Sequence, residues 1–163
     1  MKNIVLIGMM GCGKTTVGKL LATRLNKPLV DTDALIERQE GMTVPEIFES
    51  QGEAYFRSVE TGVAQAISLR TDLIIACGGG LPLQKEAMAA LKESGTVFWL
   101  DRDPGDIFDT EDLSGRPLAQ EGREKFVALG EERREVYESW ADVTVTDFTS
   151  PISTAARVLE VVK

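Results

Sequence analysis

The sequence predicts an α/β protein: a parallel sheet with helices packed on both of its faces. Three observations carry that prediction. Residues 4–7 and 73–76 are short, uniformly aliphatic runs, as strands buried on both sides should be. Segments of helical period separate the runs. Glycines or aspartates stand where the runs stop, the place where an open α/β sheet keeps its ligands.

In chain order, residues 4–7 read as a first strand ended by Gly8. Val17, Leu20, Leu21 and Leu25 then fall at helical spacing over residues 14–26. Leu29 and Val30 form a second strand that ends at Asp31. Thr43, Pro45 and Glu46 read as a capping box opening a short helix that Gly52 closes. Phe56, Val59, Val63 and Ile67 share one face of a longer helix. Residues 73–76 are a third strand, stopped by Gly78, Gly79 and Gly80, and Pro82 is expected to start the helix running through Met88 and Leu91. A fourth strand covers residues 97–100. Residues 101–121, rich in Asp, Gly and Pro, read as a loop or mobile flap with one short helix. Helical period returns through Phe126, Leu129 and Val136. Val143 and Val145 mark a fifth strand, and Ser150-Pro151 caps and opens the last helix.

Composition narrows the function. The 163 residues fit one domain, and 43% hydrophobic with 27% charged residues is an ordinary globular balance. With 26 acidic and 18 basic residues the net charge is −8, which disfavours nucleic acid as a partner and requires any phosphate site to be local. There are no histidines, so His-based triads, His general bases and His-ligated zinc are excluded. Cys12 and Cys77 have no metal-like spacing and suit a reducing compartment. The N-terminal run reads as a buried strand rather than a signal peptide, and no apolar stretch approaches the roughly 20 residues of a membrane span. The expectation is a cytoplasmic monomer acting on a small molecule, away from membranes.

Gly8-Met9-Met10-Gly11-Cys12-Gly13-Lys14-Thr15 has the spacing of a phosphate-binding loop between strand and helix. Glycines let successive N–H groups point at phosphate oxygens, and the following helix adds the positive end of its dipole. Lys14 has the reach for the β- and γ-phosphates, Thr15 has a hydroxyl for Mg²⁺, and Cys12 fills a variable position. A guanine switch is disfavoured: Asn26-Lys27-Pro28-Leu29 lacks the closing Asp of a base reader, and Asp112-Leu113-Ser114-Gly115 follows no strand.

Other polar residues fit a small anionic acceptor. Asp31 and Asp33 stand at a strand exit, where one carboxylate can hold a metal through water and the other can take a hydroxyl proton. An ordinary polar strand exit with Asp33 capping a helix fits equally. Arg57 and Glu60 share a helix face, as in many surface ion pairs. The triple glycine permits close ligand approach or is a flexible turn. Arg116, in the irregular segment, suits an arginine that closes over phosphates. Arg133 can supply a further cation, while Arg134 beside it is expected to be solvated.

In order and spacing, GMMGCGKTT, DTD, FRSVE, GGG, RPL and REVYESWAD resemble the shikimate kinase family over nearly the whole chain. The resemblance implies a three-layer P-loop kinase fold: a five-stranded parallel sheet flanked by helices, with a lid and a small helical substrate-binding region. It implies one domain over residues 1–163, with residues 31–61 binding substrate and about 109–121 forming the lid. It implies phosphorylation of the 3-hydroxyl of shikimate by ATP with Mg²⁺, on the route to chorismate and aromatic amino acids. Gly11, Cys12, Gly13, Lys14, Thr15, Thr16 and Arg116 would then meet ATP, and Thr15 and Asp31 the metal. Asp33, Arg57, Glu60, Gly78, Gly79, Gly80 and Arg133 would surround shikimate, with Lys14, Asp33 and Arg116 at the chemistry. Kinases of gluconate or nucleoside monophosphates and a non-catalytic nucleotide-binding module are the competing readings.

Two departures bear on this. The family's lid usually carries basic residues where Asp109, Glu111 and Asp112 stand, so nucleotide binding should be weaker unless these acids face water. Glu135 replaces a common proline, so local helix geometry is expected to differ. Thr149-Ser150-Pro151 is a candidate border for the adenine, with no motif behind it.

Overall fold

The computed structural model describes residues 1–162. Its five strands are β1 (Asn3–Ile7), β2 (Leu29–Asp31), β3 (Ile74–Ala76), β4 (Gly95–Leu100) and β5 (Val143–Val145). They form one parallel sheet in the order β2-β3-β1-β4-β5. β1 lies at the centre, with Val5 opposite both Ile75 and Val97. Helix α1 (Lys14–Leu25) links β1 to β2, and α2 (Thr32–Glu40), α3 (Val44–Gln51) and α4 (Glu53–Ile67) link β2 to β3. Helix α5 (Lys85–Ser94) precedes β4, α6 (Pro104–Thr110) and α7 (Arg123–Trp140) precede β5, and α8 (Pro151–Val162) follows it. Among the described residues no helix is long and apolar enough to cross a membrane.

Side chains alternate between two cores because successive strand residues point to opposite faces. Ile4, Leu6, Ile74, Phe98 and Leu100 pack with Val17 and Leu21 of α1 and Ala155 and Val158 of α8. Val5, Ile7, Ile75, Val97 and Trp99 pack with Ala64 of α4, Met88 and Leu91 of α5, and Tyr137 of α7. A third, smaller cluster of Ile36, Ile47, Phe56 and Val63 joins α2, α3 and α4 into one unit beside the sheet.

Asn3 is the buried polar residue within β1, and its amide is satisfied at both ends. Its Oδ1 accepts from Leu73 N–H at 2.9 Å and its Nδ2 donates to the Arg70 carbonyl at 2.8 Å. The side chain therefore ties the start of β1 to the entry of β3.

The capping box is present: Glu46 N–H donates to Thr43 Oγ1 at 3.3 Å and Thr43 N–H to Glu46 Oε1 at 3.0 Å. Ser150 Oγ accepts from Ser153 N–H at 3.1 Å, as a cap of α8 should. Two expectations change, and a third is met. Pro82 belongs to a single 3₁₀ turn, Leu81–Leu83, and the helix proper begins at Lys85. Helix α2, absent from the sequence reading, is capped by Asp31, whose Oδ1 accepts from Ala34 N–H at 3.1 Å; Asp33 lies inside its first turn and is not the cap. α2 escaped detection because it is short and polar, with Thr32 and Ile36 its buried residues. The short helix expected within residues 101–121 is α6, capped by Asp103, and a 3₁₀ turn, Pro117–Ala119, follows it.

Replacing Asn3 by Ala leaves the Leu73 N–H buried without its partner. We expect a loss of about 2 kcal/mol, read as a lower urea midpoint with unchanged slope. An unchanged midpoint would show that the amide ties nothing together.

Candidate active site

Loops leave β1, β2 and β3 at the same edge of the sheet, so Gly8, Asp31 and Gly78 emerge side by side. The loop after β1 enters α1 through Gly13, whose φ of 109° lies in the left-handed region open to glycine. Lys14 is 8% exposed and folds back over this loop, donating from Nζ to the carbonyls of Gly8 at 2.7 Å and Met9 at 2.9 Å. Thr15 Oγ1 donates to Asp31 Oδ2 at 2.6 Å. Gly11 and Cys12 lie in the loop and Thr16 in the first turn of α1, and Cys12, Gly13 and Thr16 line a cavity that reaches Phe148 and Pro151.

A second cavity lies between the sheet edge and the α2–α4 unit. Asp33, Arg57, Glu60, Gly79, Arg116 and Arg133 are among its walls. Arg57 Nη1 donates to Glu60 Oε1 at 2.9 Å, and its Nε and Nη2 reach Glu53 Oε2 at 3.3 Å. Phe56 lies under its guanidinium, 5.2 Å from ring centroid to Cζ. Glu53 is a partner the sequence reading missed, although its i, i+4 spacing from Arg57 was a visible signal.

The triple glycine is explained by what crowds against it. A Cβ on Gly78 would stand 2.5 Å from Asp33 Oδ1, and one on Gly80 2.5 Å from Arg57 Nη2. Gly79 is flanked by Met10 and Arg133. Its carbonyl accepts from Tyr137 Oη at 2.6 Å, which fixes the loop to α7. The Gly78 N–H is already donated to Thr32 Oγ1 at 2.9 Å, so this glycine makes room for Asp33 rather than offering its N–H to a ligand.

Arg133 is 3% exposed, and its Nε and Nη1 have no hydrogen-bond partner. The Glu60 Oε2 is likewise buried without one. A buried cation with free donors is costly unless an anion completes it. The cavity therefore offers free, desolvated donors that an anion could satisfy.

Family comparison agrees with this geometry. A family model described as shikimate kinase matches residues 10–163. A shikimate kinase of Sulfurihydrogenibium is 45% identical over 138 residues, covering 84% of this chain and 83% of that one. One from Persephonella marina is 38% identical and covers 98% of both chains. The solved structure of the Acinetobacter baumannii shikimate kinase in complex with shikimate superposes with a TM-score of 0.92 at 36% identity, covering 99% of this chain and 93% of that one.

The chain belongs to the shikimate kinase family.

Membership brings the family's activity with it: ATP-dependent phosphorylation of shikimate, with Mg²⁺, in aromatic amino acid biosynthesis. The P-loop kinase fold expected from the sequence is the one found, a parallel sheet between helical layers. The residues present fit the metal. The hydroxyl of Thr15 and the carboxylate of Asp31 are hard oxygen donors beside the phosphate loop, and Mg²⁺ typically takes few protein ligands together with substrate phosphates and water.

Arg134 is solvent-exposed, as expected, and it also makes a two-pronged bond to Asp101, 2.9 Å at each contact, and stacks over Trp99. The three acids that stand where basic residues are usual face water, and each is engaged: Asp109 by Arg123 at 2.9 Å, Glu111 by Arg102 at 3.2 Å, and Asp112 by the Ser114 N–H at 3.0 Å. The sequence showed the acids but not the partners that offset them.

Burial pushes the Asp33 carboxyl above its ordinary range against the opposing pull of Arg116. Burial raises Glu60 from 4.5 to about 7, more than Arg57 beside it can offset. A carboxyl whose native pKa exceeds its unfolded value stabilises the fold when protonated. That stability is present below pH 4.5 and is lost as pH rises through about 7. Compared with Glu60→Gln, the ligand-free wild type should therefore lose stability on the order of 3 kcal/mol over this window. Urea titrations of both proteins across pH measure it, and a difference that stays flat would mean that Glu60 is ionised throughout.

Proposed function

We propose that this protein transfers the terminal phosphoryl group of ATP to the 3-hydroxyl of shikimate, giving shikimate 3-phosphate and ADP, and that the residues above divide the work as follows. Arg57 and Arg133 bind the shikimate carboxylate. Glu60 holds Arg57 in place, and Gly79 and Gly80 let the ring approach the loop closely. The single observation that carries this reading is Arg133, a buried guanidinium with two nitrogens unpartnered on the wall of a cavity that also holds Asp33. A planar guanidinium matches a carboxylate better than a lysine ammonium does.

Asp33 accepts the proton of the reacting hydroxyl. Its raised pKa suits a group that must take up a proton, and Gly78 leaves the space in which it stands. Arg116, 3.2 Å from Asp33 Oδ2 in the wall of the same cavity, meets the transferring phosphoryl group. Lys14 exchanges the Gly8 and Met9 carbonyls for phosphate oxygens. Gly11, Cys12, Gly13 and Thr16 surround the phosphates, and Thr15 and Asp31 hold Mg²⁺, which offsets phosphate charge when bound.

Residues 31–61 form the substrate-binding region and about 109–121 the lid within one domain. All of these groups come from one chain, which supports a working monomer. Two free thiols support a cytoplasmic setting, and the net charge of −8 argues against nucleic acid as a partner.

Coupled ADP release with and without shikimate, at fixed Mg²⁺, tests the reaction. ADP formation that ignores shikimate, with no phosphorylated shikimate, would overturn it. Within it, Arg133→Ala and Arg57→Ala should raise KM for shikimate about 30- to 1000-fold, the cost of losing a buried charged contact. Lys14→Ala and Asp33→Ala should instead lower kcat by roughly 100-fold or more. Equal effects of all four on KM alone would remove the division of roles.

A further inference from the structure

The cavity beside the phosphate loop has one basic wall residue, and neither the motifs nor the family resemblance pointed to it. Gly13 and Thr16 lie at one end, Phe148 and Pro151 contribute apolar surface, and Arg102 lies in the wall with Glu111. From residue 103 to residue 115 the chain has no Lys or Arg, so the segment leading to the lid supplies no cation of its own here. Arg102 leaves the end of β4 instead, and its side chain is only 17% exposed.

Its guanidinium is held along its edges. Nε donates to Asp106 Oδ2 at 3.0 Å, Nη1 to Glu111 Oε2 at 3.2 Å and Nη2 to Thr110 Oγ1 at 2.9 Å. Three contacts from three residues fix the orientation of the plane. Three of its five N–H groups are committed to α6 and Glu111, so the fixed plane offers a ligand its face and the two N–H groups that remain. A guanidinium face stacks on a nucleobase, whatever the base's hydrogen-bonding pattern.

We propose that Arg102 is a nucleotide-binding residue whose guanidinium face stacks on the base of ATP, with Asp106, Thr110 and Glu111 as the residues that position it. This rests on the kinase reading above, because it places the nucleotide's phosphates on the adjoining loop. It also gives the acidic lid segment a use: Glu111 orients a cation there.

Calorimetric titration with ADP and Mg²⁺ tests the proposal on wild type, Arg102→Ala and Arg102→Lys. Lysine keeps the positive charge for Asp106 and Glu111 but has no planar face, so it serves even where alanine harms folding. Both variants should bind ADP roughly five- to tenfold more weakly, the lower end of the scale of a lost stacking contact on a base. In Arg102→Lys, which keeps the charge, the loss should be the same at low and high ionic strength, because a stacking contact is not screened as a phosphate contact is. Wild-type affinity in Arg102→Lys, or a loss that disappears in high salt, would overturn the proposal while leaving the kinase reading intact. Failure of the wild type itself to bind ADP would overturn that reading, and this inference with it.

Discussion

The site depends on the pairing of β1 with β3. Leu6 sits opposite Ala76, so the loops that follow the two strands leave the sheet as neighbours. That register cannot slip by a residue, because each strand is buried on both faces and alternate side chains belong to different cores. Gly79 therefore lies against Met10 of the phosphate loop. Asp33 and Arg57 are then seated against Gly78 and Gly80, each taking space that a Cβ would deny, while Arg133 lies in ordinary contact with Gly79. A turn of ordinary residues after β3 would push Asp33 and Arg57 away from the end of the sheet.

Charge is managed locally in a protein that is acidic as a whole. Arg57 is held by Glu53 and Glu60, Arg102 by Asp106 and Glu111, and Arg116 by Asp33. Each of these cations stands oriented before a ligand arrives, which reduces the ordering that binding would otherwise require. Arg133 differs because two of its nitrogens have no hydrogen-bond partner inside the protein. Folding tolerates that desolvated charge, and binding an anion relieves it. The site thus carries part of its affinity as a cost built into the ligand-free fold.

Legibility followed the range of the interactions involved. The strand runs, the capping box at Thr43 and Glu46, and the phosphate loop depend on residues close in sequence, and the structure has them where the sequence placed them. Pro82 was misplaced by a few residues because a proline opens a 3₁₀ turn as readily as a helix. Helix α2 was missed because its buried face is narrow and its stability comes from packing within the α2–α4 cluster. Glu53 carried a readable helical spacing to Arg57, whereas Thr32 gave no sign of its bond to Gly78.

By itself the sequence determined the α/β alternation, the phosphate loop and the identities of the acids and arginines that belong together. Those properties follow from periodicity, glycine placement and side-chain chemistry, all of which are local or compositional. Tertiary structure alone decided that Thr32 meets the Gly78 N–H, that Asp109 is matched by Arg123, and that Arg133 ends up buried with nitrogens to spare. The reason is physical: desolvation and ion pairing are set by neighbours that folding brings together, and no spacing along the chain encodes them.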